Sequence, residues 1–181
     1  MRGKQAFMAT AMVACALLTA GQRAGAEAPV APADWSSGLR WVQPARFQPA
    51  RLDGKPVIVE FWTFGCINCR RTIPAMRELE TRFGRDIPIV GIHTPEFDWE
   101  KQPEAVRRTV RREGIRYAVA QDNDYRAWNA FGNHYWPALY VLDRNGRIRY
   151  THAGELHQGT PSWSELVALL EGLRTEGKPR S

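Results

Sequence analysis

The run Val57-Ile58-Val59-Glu60-Phe61-Trp62 reads as a buried strand, and after three intervening residues Cys66-Ile67-Asn68-Cys69 opens a segment of helical periodicity reaching Phe83. This junction constrains the fold more than any other feature. It opens an alternation of strand-like and helix-like segments along the chain, which argues for an α/β domain. Two cysteines at this spacing can close a disulfide across the first turn of that helix. A thiolate at Cys66 would lie at the helix N-terminus, where unpaired backbone N–H groups and the positive end of the macrodipole favour negative charge. Cys66 is therefore expected to be the reactive thiol.

The other cysteine does not complicate the pair. Cys15 falls in residues 1–26, which are built like a secretory signal: Arg2 and Lys4, an apolar stretch from Ala6 to Ala20, then Ala24-Gly25-Ala26 as a cleavage site. Met12-Val13-Ala14-Cys15 makes a poor lipobox, and the apolar run continues beyond it. The expected mature chain begins at Glu27 and is periplasmic or secreted, where disulfides persist and a Cys pair is kept in its redox state by partners. No apolar run reaches the roughly 18 to 20 residues that span a bilayer, so the mature chain is expected to be soluble, and it is expected to be a monomer. The leader carries three of the 25 basic residues, leaving 22 against 19 acidic, so much of the net charge of +6 leaves with it. Arg107-Arg108 and Arg111-Arg112 leave Val106 and Val110 on the opposite side of a helix, which reads as a solvated face and gives no nucleic-acid partner.

Residues 27–50, rich in Ala and Pro with Trp35, Trp41 and Phe47, read as an extended lead-in that packs its aromatics on a single domain over 51–175, with a polar tail at 176–181. Within that domain, Pro74 should kink the cysteine helix, and Ile87 to His93 is a second buried strand. After a loop from Thr94 to Gln102, Pro103 starts a helix that Gly114 ends. Tyr117 to Gln121 is a short strand, and Asp122 or Asp124 caps a helix through Phe131 that stops at Gly132. Ala138 to Leu142 and Arg147 to His152 flank the hairpin turn Asn145-Gly146. Ser162-x-x-Glu165 reads as the capping box of a last helix to about Arg174.

Glu60-Phe61-Trp62, then Cys66-Ile67-Asn68-Cys69-Arg70 with Pro74, and Trp136-Pro137 before the penultimate strand, together resemble the secreted thioredoxin-like proteins of the TlpA/ResA group. His93-Thr94-Pro95-Glu96-Phe97, Asp122-Asn123-Asp124-Tyr125 and Asn133-His134-Tyr135-Trp136-Pro137-Ala138 are similar to the DipZ-type thioredoxin-like domains. The resemblance covers about residues 45 to 174. It implies a thioredoxin fold, a mixed sheet flanked by helices, with a central inserted helix-strand-helix segment. It also implies a thiol-disulfide oxidoreductase without a bound cofactor, in which Cys66 and Cys69 cycle as a redox-active disulfide. Cys66 would form a mixed disulfide with a protein substrate, and Cys69 would resolve it. Glu60 matches the buried acid of thioredoxin, there an Asp, and would exchange a proton with Cys69. Pro137 would be a cis-proline facing the pair, with the Trp136 backbone binding an extended substrate. Taken alone, the residues favour an ordinary trans-proline opening an edge strand, and only the resemblance reverses that.

Trp62, Phe64, Ile67 and Asn68 are the further candidates for substrate contact, although Trp62 and Phe64 could equally be core. Gly65 departs from thioredoxin, which has Trp before its first Cys. The resemblance also implies a reductant, fed by a membrane thiol donor and acting on cytochrome c precursors or oxidised envelope proteins. Two competing readings remain. A Sco-type copper chaperone would pair the thiols with His134, but such proteins space their cysteines more widely, and His93, His152 and His157 lack ligand spacing. A thiol peroxidase would use Thr63-x-x-Cys66, but Val59 stands where that pattern needs Pro. Haem attachment would need His at position 70, which is Arg.

Overall fold

The computed structural model describes residues 31, 34–44 and 54–176. The readings of residues 1–26 as a leader, of Phe47 as a packed aromatic and of the tail past Glu176 lie outside those residues.

Six strands and four helices follow in chain order: β1 Arg40–Gln43, β2 Val57–Trp62, α1 Ile67–Phe83, β3 Ile89–His93, α2 Pro103–Arg112, β4 Ala118–Gln121, α3 Arg126–Ala130, β5 Ala138–Leu142, β6 Ile148–Ala153 and α4 Pro161–Thr175. The sheet order is β1-β4-β3-β2-β5-β6. β2 is parallel to β3 and β3 to β4, as helical crossovers require. β5 and β6 return antiparallel through the Asn145-Gly146 hairpin, where Gly146 takes a φ of 76°. This is the expected mixed sheet of a thioredoxin-like fold, with α2, β4 and α3 as the inserted segment.

β2 is buried along its whole length because both faces are covered. Alternation puts Ile58 and Trp62 into the cluster made by α1, α2 and α4, with Met76, Leu79, Val110, Leu166 and Leu170. Val57, Val59 and Phe61 face the other cluster, with Trp35, Trp128 and Phe131. Glu60 shares the register of Ile58 and Trp62, so its carboxyl enters the α1 side beneath Cys69.

Four local expectations changed. The lead-in supplies a sheet strand, β1, pairing antiparallel with β4, while Trp35 packs edge-on against Phe131 at 5.8 Å. α4 starts at Pro161 with Thr160 as its N-cap, the Oγ1 accepting from Trp163 N at 3.3 Å. Pro161 lacks an N–H and has a pre-set φ, so it favours the first helical position and leaves Ser162 inside the helix rather than capping it. α3 is capped by Tyr125 at a φ of 59°, and Asp122 acts from further back, its buried carboxylate accepting from Trp128 N at 2.9 Å. The segment read as a loop from Thr94 to Gln102 contains a 3-10 turn, Asp98–Lys101.

Candidate active site

Cys66 is the N-cap of α1, and its sulfur accepts from Cys69 N at 3.2 Å. The Cys69 N–H is one of the unpaired donors of the first turn, and its contact with sulfur strengthens as the sulfur gains negative charge. Across the site the Cys66 thiol lies 3.7 Å from the carbonyl oxygen of Trp136, whose bond to Pro137 is cis. Both thiols are free, Cys66 half-buried and Cys69 fully buried. Burial pushes the Cys69 thiol far up, and its contact with the Cys66 side chain adds to the shift. One thiol is thus open to a partner and the other is held protonated behind it.

Beneath them Glu60 is 1% exposed and accepts at Oε2 from the Tyr117 hydroxyl at 2.9 Å, while Oε1 has no protein partner. Desolvation raises its carboxyl from 4.5 to about 7, against the opposing pull of the Tyr117 hydrogen bond. The position opposite it on β3 is Gly91, where a Cβ would come within 3.0 Å of the Tyr117 ring and 3.1 Å of the Trp62 indole nitrogen. A side chain there would displace the tyrosine that holds the acid. The negative charge of Glu60 reaches Cys69 and raises the thiol further, so the two groups share one electrostatic environment.

The expected substrate contacts separate into two kinds. Ile67 is 52% exposed beside Cys66, Asn68 is exposed, and Trp136 is half-buried with its indole N–H donating to Thr94 O at 2.9 Å. Phe64 is half-buried and stacks on His93 at 5.3 Å. Trp62 is a correction, because it is 1% exposed and backs the site from the core with its edge on His93. The hydrophobic side of β2 claims it.

Sequence reasoning missed the buried residues that hold the loop before Cys66. Glu100 is fully buried and accepts from three backbone donors: Gly65 N at 2.8 Å, Glu96 N at 2.6 Å and Phe97 N at 3.0 Å. The residue before Cys66 is thereby tied to the 3-10 turn. His93 is also buried, its Nε2 3.2 Å from the Thr63 hydroxyl, and desolvation lowers it from 6.5 to about 4. Thr63, the threonine of the peroxidase reading, is fully buried and committed to that histidine. Nothing in a polar stretch such as Glu96-Phe97-Asp98-Trp99-Glu100 marks one acid for burial. The available signal was Gly65, a glycine in the place of a large residue.

The space around Gly65 explains that departure. A Cβ at Gly65 would lie 2.3 Å from Glu100 Oε1 and 2.9 Å from Trp99. Because three N–H groups hold the carboxylate, it cannot swing aside freely. Gly65→Ala should therefore cost about 1–3 kcal/mol, the usual range for overpacking, in a urea unfolding titration. Unchanged stability would mean that Glu100 is not fixed.

Among the described residues, no three His, Cys, Asp or Glu side chains are gathered as a metal ion would need, and His134 does not join the thiols. No helix among them is long and apolar enough to cross a membrane.

The AhpC/TSA family matches residues 40–151. The protein DipZ of Mycobacterium tuberculosis is 39% identical over 129 residues, which are 71% of this chain and 18% of that protein. The chain thus spans under a fifth of DipZ. Thiol-disulfide oxidoreductase YkuV of Bacillus subtilis is 29% identical over 100 residues, 55% of this chain and 68% of that protein. The crystal structure of a thiol-disulfide isomerase from Corynebacterium glutamicum superimposes with a TM-score of 0.66 at 24% identity, covering 82% of this chain and 97% of that one, a likeness of fold.

Proposed function

The chain belongs to the AhpC/TSA family, with a thioredoxin-like domain of the thiol-disulfide oxidoreductase kind, and we propose that it is an exported enzyme reducing protein disulfides through Cys66 and Cys69. The observation that carries this reading is the asymmetry of the two thiols. Cys66 sits at a helix N-terminus with a backbone donor on its sulfur, and Cys69 lies buried three residues on above an acid. Cys66 as thiolate attacks one sulfur of a substrate disulfide, forming the mixed disulfide and expelling the other substrate sulfur as a thiolate. Glu60 then takes the proton of Cys69, whose sulfur attacks Cys66 and releases the second substrate thiol. Two electrons pass to the substrate, and the domain is left with a Cys66–Cys69 disulfide. A membrane thiol donor would return it to the reduced state, and the leader-like residues 1–26 support work outside the cytoplasm.

Two measurements test this reading. Reduced protein should turn over insulin disulfides with a thiol donor and without added copper. Tight copper binding lost in His134→Ala, with no turnover, would replace the reading by a metallochaperone. The reduction potential, equilibrated against glutathione or dithiothreitol buffers, should lie nearer about −270 mV than about −120 mV. A value at the oxidising end would reverse the proposed direction.

A further inference from the structure

Among the described residues the large apolar side chains left exposed are Ile67, Phe97, Trp99 and Tyr135, each more than half exposed. They come from three separate segments, and all three meet at Cys66. Ile67 follows it in the chain. Tyr135 precedes Trp136, whose carbonyl faces the Cys66 sulfur. Trp99 packs edge-on against Phe64 at 5.2 Å and lies against Gly65, with Phe97 stacked on it at 6.1 Å. Apolar surface left uncovered in one place marks a contact site, and here it borders the reacting sulfur.

The segment carrying Phe97 and Trp99 is pinned on every side. Trp136 donates its indole N–H to Thr94 O, the Tyr125 hydroxyl donates to Pro95 O, and Gln121 Nε2 donates to Lys101 O at 3.2 Å. Glu100 completes the set by holding Gly65, Glu96 and Phe97 to one buried carboxylate. The aromatic shelf is therefore a fixed extension of the redox loop.

We propose that this shelf selects protein substrates whose reacting cysteine lies in an extended segment flanked by bulky apolar residues, and that Glu100 is the positioning residue that keeps Trp99 beside Cys66. The inference rests on the reading of Cys66 and Cys69 as a redox pair. The occupant follows from reach. A disulfide attacked by Cys66 must bring its sulfur to about 3–3.5 Å. At about 3.3 Å per residue, the neighbours of that cysteine then come within reach of the exposed side chains on the segments that border Cys66, Trp99 beside Gly65 among them.

The test uses two synthetic peptides of equal length, each with one cysteine and each presented as its disulfide-linked dimer. One flanks the cysteine with phenylalanine and leucine, the other with glycine and serine. Reduced protein gives two electrons to a dimer and yields two peptide thiols, and the rate of its oxidation is compared between dimers. The wild type should prefer the apolar dimer by about tenfold or more, the order expected for burying one or two apolar side chains. That ratio should fall toward one in Trp99→Ala and in Glu100→Gln, whose amide nitrogen must face either the Gly65 N–H or the N–H groups of Glu96 and Phe97. General destabilisation would lower both rates together and keep the ratio. If Glu100→Gln does not fold, the exposed Trp99→Ala still decides. A wild-type ratio near one, or a ratio unchanged in Trp99→Ala, overturns the shelf while leaving the redox pair intact. Reaction with neither dimer overturns both.

Discussion

Cys66→Ala is expected to abolish disulfide exchange, and Cys69→Ala to retain the first attack and accumulate a covalent mixed disulfide with substrate. The two thiols differ in access before they differ in anything else. Cys66 is half-buried at the mouth of the site, whereas Cys69 has no exposed surface and its burial holds the thiol protonated well above neutral pH. A protein substrate can therefore reach only Cys66, and without Cys69 no internal thiol can displace that substrate. Non-reducing electrophoresis of Cys69→Ala incubated with oxidised insulin should show the adduct, which dithiothreitol should release. The direct check on the roles is alkylation of the reduced wild type at neutral pH, mapped by mass. Cys66 should be modified first and Cys69 only on partial opening of α1. The reverse order would exchange the two assignments.

The junction between β2 and α1 was legible because several local signals agree there: an apolar run of strand length, a helical period, and two cysteines at the spacing of one turn. Agreement across levels is what makes a sequence readable. The same holds for the β5–β6 hairpin, where Asn145-Gly146 supplies the required φ. What could not be read depends on which residues become neighbours in space. Arg40–Gln43 has no strong strand pattern, since it is an edge strand whose partner, β4, lies some eighty residues away. Trp62 and Phe64 look alike in the sequence, yet the β2 register buries the first and leaves the second at the site. Glu100 was invisible for a related reason. Its burial is created by three backbone donors and by the missing side chain of Gly65, none of which leaves a mark on the stretch around it.

Glu60→Gln is expected to slow resolution of the mixed disulfide by about 10²- to 10⁴-fold near neutral pH, the contribution typical of a positioned general base. The wild-type carboxyl titrates at about 7, raised by burial, so near pH 7 about half the molecules carry a base beneath Cys69. Glutamine keeps the shape and can still accept from Tyr117, but it takes no proton. The deficit should therefore be largest at and above neutral pH and shrink again at strongly alkaline pH, where Cys69 begins to ionise unaided. Attack of Cys66 on a small disulfide should change far less, since the Cys69 N–H on its sulfur and the helix terminus are untouched. Stability supplies an independent readout with a definite sign. The folded state binds the Glu60 proton more tightly than the unfolded chain does, so between about pH 4.5 and 7 rising pH removes stability, in total roughly 3 kcal/mol for a shift of this size. His93 works in the opposite direction, since its folded value near 4 lies below the unfolded 6.5 and its contribution is lost as pH falls. The two slopes offset one another in the wild type, which makes the difference between the two proteins the informative quantity. Urea titrations at pH 5 and pH 8 should show Glu60→Gln gaining about that amount on the wild type across the interval, with His93 cancelling. A rate profile that overlays the wild type from acid to alkaline pH would remove Glu60 from the mechanism. A stability difference that stays constant between pH 5 and 8 would place its titration elsewhere.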